Sequence, residues 1–400
     1  LAVDVLDGGG PQRRRRVVIG AGGFVFGAAM MVAATGAATP RFLDASERGP
    51  VRVGLVQTNL PQDNRMAWSL RDRVSDLEDF LRLSRNVAAD GPDFIVWPET
   101  MFPGSTLSPD AIDAEREAGL FHADLGLAST FFVDRLLDGQ RDIGVPMIVG
   151  AIGVDGFEVV LLDSGGVDFD VDARFNSTFV VRDGAIAAER YDKMHLTPFG
   201  EVMPYISAWP WLERQLLAIG ARGMAFDLDA GRDPVVHVLP TAAAGDVRVA
   251  TPICFEVTAD WVPRRLVTEG GERRADLMVH LTNDGWFGQF AGGRANHQLI
   301  TRWRCIELAT PAVRCANTGI SSSIDARGRV LAEQPGWTDG TLTVEVMLPP
   351  EDALTIFARL GDVAGFTSLL ATVVLGVLGV VRGRRTAKTA PKEQLDPTTD

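Results

Sequence analysis

The stretch Val249-Ala-Thr-Pro-Ile-Cys254-Phe-Glu256 is typical of a β-strand that runs into a sharp turn, with a cysteine at the bend. β-Branched residues favour the strand, and the proline ends it because proline has no backbone N–H to donate. A cysteine attacks acyl carbons readily once a base or a cation lowers its pKa. A lone cysteine is more often a buried side chain that fills a small gap, and at this point both interpretations stay open.

Two further segments place a reactive side chain where an apolar stretch gives way to a turn. In Phe94-Ile-Val-Trp-Pro-Glu99, the proline ends a short strand and presents Glu99, a carboxylate suited to general-base work where apolar neighbours raise its pKa. In the segment Tyr191-Asp-Lys-Met-His-Leu-Thr-Pro-Phe-Gly-Glu201, Lys193 is the only lysine before Lys388. The chain otherwise carries its positive charge on arginine, so this lysine indicates a need for a compact ammonium. Each residue alone is also compatible with an ordinary surface role.

The remaining cysteines and histidines suggest no metal site and no cofactor. Cys305 and Cys315 do not follow a strand end, and three thiols at these spacings match neither a zinc site nor a disulfide-dense scaffold. The histidines show no metal-ligand spacing; they are His122, His195, His237, His280 and His297.

The charge distribution argues against nucleic acid as a partner. The formal net charge is −13, and both ends of the chain are basic, so the acidic residues are concentrated in the central region. Binding to phosphate backbones requires a basic surface.

Two apolar runs enclose the central region. Residues 17–39 are uncharged and follow Arg13 to Arg16, and residues 363–381 precede Arg382. Each run is long enough to cross a hydrocarbon core of about 30 Å as a helix, and the positive-inside tendency places both chain ends in the cytoplasm. A cleaved signal peptide is the alternative for the first run, and a buried core helix for the second.

These runs predict the order of segments along the chain. The sequence predicts a cytoplasmic basic segment over 1–16, membrane helices over 17–39 and 363–381, and a disordered cytoplasmic tail over 382–400. The enzyme domain between the two helices is then extracytoplasmic.

Between the apolar runs, short β-branched stretches alternate with amphipathic helical stretches, as in a layered α/β domain. Helices are predicted over 70–87, where apolar residues recur at helical spacing, and over 295–308. Strands are predicted at Val51–Gln57, Phe94–Trp97, Met147–Ala151, Asn176–Val181, Val247–Ile253, Leu277–Thr282, Ala312–Ala316 and Ser321–Asp325.

The three reactive segments, taken in order, resemble the nitrilase or carbon-nitrogen hydrolase superfamily. Trp-Pro-Glu99 comes first, then Lys193-x-His-Leu-x-Pro-Phe-Gly-Glu201, then Pro-Ile-Cys254-Phe-Glu256. The resemblance covers roughly residues 51–346 and implies an α/β fold, an α-β-β-α sandwich. It also implies that Glu99 is the base, that Cys254 is the nucleophile and that Lys193 stabilises the tetrahedral intermediate.

Other segments resemble the apolipoprotein N-acyltransferase branch of that superfamily: Val56–Gln62, Asn283–Gly288, Arg314–Ile320 and Thr355–Asp362. This resemblance implies that a fatty acyl chain moves from a membrane phospholipid, through a Cys254 thioester, to the N-terminal α-amine of a diacylglyceryl-cysteine apolipoprotein. The expected location is the bacterial cytoplasmic (inner) membrane, with the enzyme domain on the periplasmic side. Supporting roles are implied for Glu201, Phe255, Glu256 and Trp68.

The alternative function is a membrane-tethered amidase or nitrilase that uses the same residues with water as acceptor. A degenerate, non-enzymatic scaffold is disfavoured because all three reactive positions hold the required residue types. The acyltransferase branch has several membrane helices before its enzyme domain, whereas one apolar run precedes it here. Either further helices precede Leu1 or the chain is a shortened homologue.

Aromatic residues predict lipid-facing loops at the mouth of the site. Tyr205, Trp209 and Trp211 follow the lysine segment, and Trp286 and Phe287 form a second apolar tip. Tyrosine and tryptophan favour membrane interfaces, and a site covered by lipid excludes water. An ordinary core helix is the alternative to this pair of loops.

Overall fold

The computed structural model describes residues 48–60, 68–122, 126–161, 167–198, 200–202, 228–288 and 290–389. The predictions for residues 1–47 and for Tyr205, Trp209 and Trp211 lie outside these ranges. The chain divides into two compact units, one ending at Arg359 and the other beginning at Leu360.

The first unit alternates strands and helices. Its strands are β1 (Arg48–Gln57), β2 (Phe94–Val96), β3 (Phe121–His122), β4 (Leu127–Ala128), β5 (Met147–Asp155), β6 (Glu158–Leu161), β7 (Val167–Asp170), β8 (Ala173–Arg182), β9 (Ala185–Asp192), β10 (Val236–Thr241), β11 (Gly245–Ala250), β12 (Thr268–Glu269), β13 (Glu272–Arg273), β14 (Leu277–Thr282), β15 (Ala312–Ala316), β16 (Ser321–Ile324), β17 (Val330–Gln334) and β18 (Gly340–Leu348). Its helices are α1 (Leu70–Ala88), α2 (Pro109–Glu117), α3 (Phe131–Ile143), α4 (Trp261–Val267) and α5 (Ala291–Leu308). A short helix, α6 (Ile356–Leu360), ends one residue past the boundary at Arg359.

Two six-stranded sheets form the centre of this unit. The first sheet has the order β18-β1-β2-β5-β8-β9, and the second has the order β10-β11-β14-β15-β16-β17. In both sheets a parallel centre is flanked by antiparallel strands: β1, β2 and β5 pair in parallel, as do β11, β14 and β15. The carboxyl ends of these parallel strands therefore lie at one edge of each sheet.

The sheets pack face to face through side chains of alternating residues. In β14, Leu277, Val279 and Leu281 lie in the core between the sheets, whereas Met278 joins the core on the opposite face. This alternation follows from the two-residue repeat of a strand. Polar residues at the remaining β14 positions, His280 and Thr282, are therefore directed to the helix side, where the candidate site lies.

Helices cover the outer face of each sheet. α1 and α3 pack on the first sheet through buried residues such as Leu77, Phe80 and Leu136. α4 and α5 pack on the second sheet through residues such as Leu266 and Leu308. The result is the α-β-β-α sandwich that the sequence implied, because each amphipathic layer buries its apolar face against the next.

Each strand predicted from the sequence is present, with boundaries that agree or are shifted by up to four residues. The predicted helices are also present, although the second begins earlier, at Ala291. The sequence analysis did not predict ten of the described strands: β3, β4, β6, β7, β9, β10, β12, β13, β17 and β18. One of them, β9, has a single β-branched residue among Ala185-Ile-Ala-Ala-Glu-Arg-Tyr-Asp192. This strand forms because β8 offers it an antiparallel partner along most of its length.

The second unit contains one described helix, α7 (Val363–Thr389). It covers the apolar run at 363–381 and continues through residues 382–389, which the sequence analysis had assigned to a disordered tail. Alanine, arginine and lysine in this extension all favour helix.

Within the ranges that the structure describes, no helix combines the length and the apolar character needed to cross a bilayer.

Candidate active site

Glu99 lies in a tight turn just after β2 that passes directly over β5. A Cβ atom at Gly150 of β5 would lie 2.4 Å from the carbonyl oxygen of Pro98 and 2.9 Å from Cα of Glu99, so only glycine allows this approach. The Glu99 side chain is buried. Its carboxylate accepts one hydrogen bond from the backbone N–H of Asn283 and one from Nδ2 of Asn176, both at 2.8 Å.

Lys193 follows β9 and is fully buried. Its Nζ lies 2.6 Å from Oε2 of Glu201, 3.4 Å from Oε1 of Glu99 and 3.3 Å from Oγ1 of Thr197. Burial by itself would lower the pKa of Lys193, but Glu99, Cys254 and Glu201 outweigh it and raise that pKa above its ordinary value. The side chain is therefore a permanent ammonium at neutral pH.

Asn176 on β8 joins the two carboxylates that surround this ammonium. Its Nδ2 lies 2.8 Å from Oε1 of Glu99 and 2.8 Å from Oε1 of Glu201. An amide nitrogen carries two N–H groups, so each carboxylate receives one. These bonds and the nearby Lys193 ammonium keep the pKa of Glu201 below its ordinary value despite burial.

Cys254 follows β11 and begins a short 3-10 turn, Cys254–Thr258, at the adjoining edge of the second sheet. Its φ of +47° is left-handed, a conformation that costs a non-glycine residue roughly 1–2 kcal/mol. Burial, followed by the charge of Glu99, raises the pKa of the thiol, while Lys193 and a hydrogen bond from Thr282 act in the opposite direction. The net pKa lies above the ordinary value, so the resting sulfur is a protonated thiol.

Glu256 connects the cysteine turn to the lysine segment. Its fully buried carboxylate accepts the backbone N–H of Ile253 at 2.7 Å, of Met194 at 2.6 Å and of His195 at 3.1 Å. The Tyr191 hydroxyl lies 2.8 Å from both carboxylate oxygens. Burial raises the pKa of Glu256 to about 7, although these donors act to lower it. Because it bonds to backbone N–H groups of both segments, this carboxylate fixes the position of the Cys254 turn relative to the Lys193 segment.

Two other residues singled out by sequence, Phe255 and Trp68, have contacts of their own. Phe255 stacks on the imidazole of His195, with 5.7 Å between ring centroids. Trp68 donates its indole N–H to Asp76 of α1 at 2.6 Å.

The described part of the predicted lipid-facing loops is a 3-10 turn, Asp284–Phe287. Trp286 is 49% exposed and Phe287 is 37% exposed. The ring of Phe287 also meets His297 edge to face, with 5.9 Å between centroids. Phe287 therefore also contributes to packing, and Trp286 is the more exposed of the two side chains.

Sequence reasoning missed several polar residues of the site. Asn176, Thr197, Thr282, His280 and His297 stand in strands, in a helix or in a turn, and no local motif distinguished them. All but Thr197 share one signal, a polar side chain at a position where the strand or helix pattern calls for burial.

The arrangement suits nucleophilic acyl chemistry. A buried thiol, a carboxylate and an ammonium lie together, so an acyl carbon attacked by Sγ would develop its negative charge close to Lys193. Among the described residues, no cluster of three or more His, Cys, Asp or Glu side chains is placed to hold a metal ion.

Comparison with known proteins places the sequence among enzymes of related chemistry. The family profile described as carbon-nitrogen hydrolase matches residues 52–351. Proteins named apolipoprotein N-acyltransferase are similar over most of the chain: that of Chlorobaculum tepidum is 29% identical over 341 residues, that of Bradyrhizobium diazoefficiens 32% over 351, and that of Bordetella bronchiseptica 30% over 365. These alignments cover 84%, 85% and 90% of this chain but 58%, 55% and 60% of the relatives. The chain thus spans a little over half the length of these relatives.

Among solved structures, an amidase of Nesterenkonia from the nitrilase superfamily is 17% identical, with a TM-score of 0.47. The superposition covers 76% of this chain and 92% of that one.

Proposed function

The chain belongs to the carbon-nitrogen hydrolase family, and from this premise we propose that it is an apolipoprotein N-acyltransferase. It moves a fatty acyl chain from a membrane phospholipid, through a thioester on Cys254, to the N-terminal α-amine of a diacylglyceryl-cysteine apolipoprotein. The observation that carries the proposal is the buried grouping of Glu99, Lys193 and Cys254 in a chain whose similar relatives bear that name.

The first half of the cycle forms the thioester. Because the resting sulfur is a protonated thiol, attack requires a base, and Glu99 takes the proton as Sγ bonds to the ester carbonyl carbon. The oxyanion that forms lies against the Lys193 ammonium and the backbone N–H of Phe255. When the intermediate collapses, the C–O bond breaks, and the leaving lysophospholipid oxygen takes the proton from Glu99.

The second half transfers the acyl group. The α-amine of the apolipoprotein attacks the thioester carbon, and Glu99 accepts the proton that the amine loses. The C–S bond then breaks, and Glu99 returns the proton to the Cys254 sulfur. Each proton taken by the carboxylate is given back, so the enzyme ends the cycle unchanged.

Two pKa shifts support these roles. The pKa of Lys193 is raised, so it stays charged and does not compete with Glu99 as a base. The pKa of the Cys254 thiol is raised mainly by burial, so a standing thiolate is not the resting state. The thiol is thus activated only when a base accepts its proton.

Contact with the bilayer supplies the phospholipid that donates the acyl chain, and it keeps water out of the site. Trp286 is half exposed beside the site, and the apolar side chains Phe366, Leu369 and Leu375 of α7 are largely exposed. Exposed apolar and indole groups favour a bilayer surface. The proposed location is the bacterial cytoplasmic membrane, with the enzyme domain on its outer side.

The experiment that tests the function follows the acyl group. Detergent-solubilised protein is incubated with phospholipid labelled in its acyl chain, and mass spectrometry locates the label. The label should appear on Cys254, persist in the absence of amine and leave when a diacylglyceryl-cysteine peptide is added.

Two outcomes would contradict acyl transfer. The first is label that never reaches the enzyme. The second is label that passes to water as fast without the peptide as with it, which would favour the tethered amidase or nitrilase.

A further inference from the structure

Two buried imidazoles converge on the backbone of the nucleophile. Nε2 of His280 lies 3.1 Å, and Nε2 of His297 lies 3.0 Å, from the carbonyl oxygen of Cys254. A carbonyl oxygen can only accept, so each ring carries a proton on Nε2 and donates it. The two N–H groups together occupy both lone pairs of this one oxygen.

The Nδ1 atom of each ring also has a polar partner. Nδ1 of His280 lies 3.1 Å from the hydroxyl oxygen of Thr301, which also bonds to the backbone carbonyl oxygen of His297 at 3.1 Å. Burial lowers the pKa of His280 well below its ordinary value, so this ring is neutral and its Nδ1 is free to accept. The two rings meet edge to face, with 5.1 Å between centroids.

His297 is fixed by a buried ion pair. Its Nδ1 lies 2.9 Å from Oδ1 of Asp284, and Nη2 of Arg314 lies 2.8 and 2.7 Å from the two Asp284 oxygens. Neither partner of this ion pair is exposed. Arg314 holds the Asp284 carboxylate in place, and this carboxylate fixes the orientation of the His297 ring.

The residues of this support come from different parts of the fold. β14 contributes His280, α5 contributes His297 and Thr301 at adjacent turns, and β15 contributes Arg314. Satisfied core histidines could bond to any nearby acceptor. Both of these bond to the one carbonyl that belongs to the left-handed Cys254.

We propose that His280 and His297 are positioning residues, whose two Nε2–H groups anchor the Cys254 carbonyl and so direct Sγ toward Glu99 and Lys193. The inference rests on the proposed role of Cys254 as nucleophile. A left-handed non-glycine residue relaxes unless its surroundings hold it. Such relaxation would turn the peptide group and swing Cβ, and with it the sulfur, away from the base.

Paired substitutions test whether the N–H donor matters rather than the ring. In His280→Met and His297→Met the side chain keeps its length but loses the donor, whereas in His280→Gln and His297→Gln an amide N–H lies at a similar reach. The readout is the rate at which iodoacetamide alkylates Cys254 in the full chain, followed by mass spectrometry. Each Met variant should slow alkylation by about tenfold or more, since small displacements of a reacting atom are costly. Each Gln variant should recover most of the wild-type rate.

The matched control is His237→Met, which removes another buried histidine, one that contacts Thr178. Its Cys254 alkylation rate should equal that of the wild type. Met variants that react at the wild-type rate, or Gln variants as slow as Met variants, would overturn the positioning role. Failure of the proposed function looks different: wild-type Cys254 would then react no faster than Cys305 or Cys315.

A second measurement needs no variant and decides the matter if the Met variants do not fold. In protein labelled with ¹⁵N-histidine, both rings should show a slowly exchanging proton on Nε2. A ring that lacks this proton cannot donate to the Cys254 carbonyl, and finding either ring in that state would overturn the inference.

Discussion

Nζ of Lys193 lies 2.6 Å from Oε2 of Glu201, closer than the 3.4 Å that separates it from Glu99. The ammonium thus makes its shorter contact with Glu201 and a longer one with Glu99. Glu99 also accepts from the side chain of Asn176, which it shares with Glu201, and from the backbone N–H of Asn283. The carboxylate proposed as base therefore shares the charge of Lys193 with Glu201.

Lys193→Arg should reduce thioester formation nearly as much as Lys193→Ala, by on the order of a hundredfold or more. The side chain is fully buried between two carboxylates, and a planar guanidinium does not fit the place of a compact ammonium. The measurement is the rate of Cys254 labelling from phospholipid. An Arg variant with a near-normal rate would mean that Lys193 supplies only a diffuse positive field.

Cys254→Ala should abolish acyl transfer, a loss on the order of a thousandfold or greater, because no other group in the site replaces the nucleophile. The fold should persist, since one sulfur atom contributes little packing. Cys305→Ala and Cys315→Ala, which remove the other buried free thiols, should keep most activity. Label found on the Cys254→Ala protein would show that the nucleophile is a different residue.

Asn176→Asp should slow thioester formation by about a hundredfold. The new carboxylate would replace an N–H donor that serves Glu99 and Glu201 at 2.8 Å and would add a third negative charge there. Asn296→Asp, the same change at an exposed position of α5, is the control and should behave as wild type. Equal rates for the two variants would show that the Asn176 bridge has no part in catalysis.

The buried Glu256 predicts a pH dependence of stability. Its pKa is raised from 4.5 to about 7 by burial, so the folded state binds the proton more tightly than the unfolded state does. The stability contributed by this group is fully present below about pH 4.5 and is lost as pH rises through about 7. Between these pH values the Tm of the wild type should fall relative to that of Glu256→Gln, which cannot titrate. A Tm difference that stays constant or moves the other way would contradict the shift.

Trp286→Ser should lower the rate at which vesicle phospholipid labels Cys254 by about fivefold, because lipid engagement scales with buried apolar area. Phe169→Ser is a matched control, since Phe169 on β7 is 45% exposed and Trp286 is 49% exposed. The control should label at the wild-type rate. If both variants or neither lose labelling, the Trp286 turn is not a specific lipid contact.

Eight of the strands and the reactive residues could be predicted because their signals are local. A short β-branched run followed by proline indicates a strand that ends, and Glu99 and Cys254 each stand next to such a run. β9 lacks such a local signal, because Ala185–Tyr191 has little β-branched character and depends on β8 for its conformation. Lys193 was found through its isolation among arginines, although the strand that positions it was not.

The sequence by itself determined the layered α/β fold, the order of the reactive segments and the three side chains proposed to carry the chemistry. Only the tertiary structure decided that Asn176 joins two carboxylates and that His280 and His297 hold the Cys254 carbonyl. Asn176 is 77 residues from Glu99, and His297 is 43 residues from Cys254. A polar residue in a buried strand or helix acquires its role from the partner that packing brings to it, and no local pattern encodes that partner.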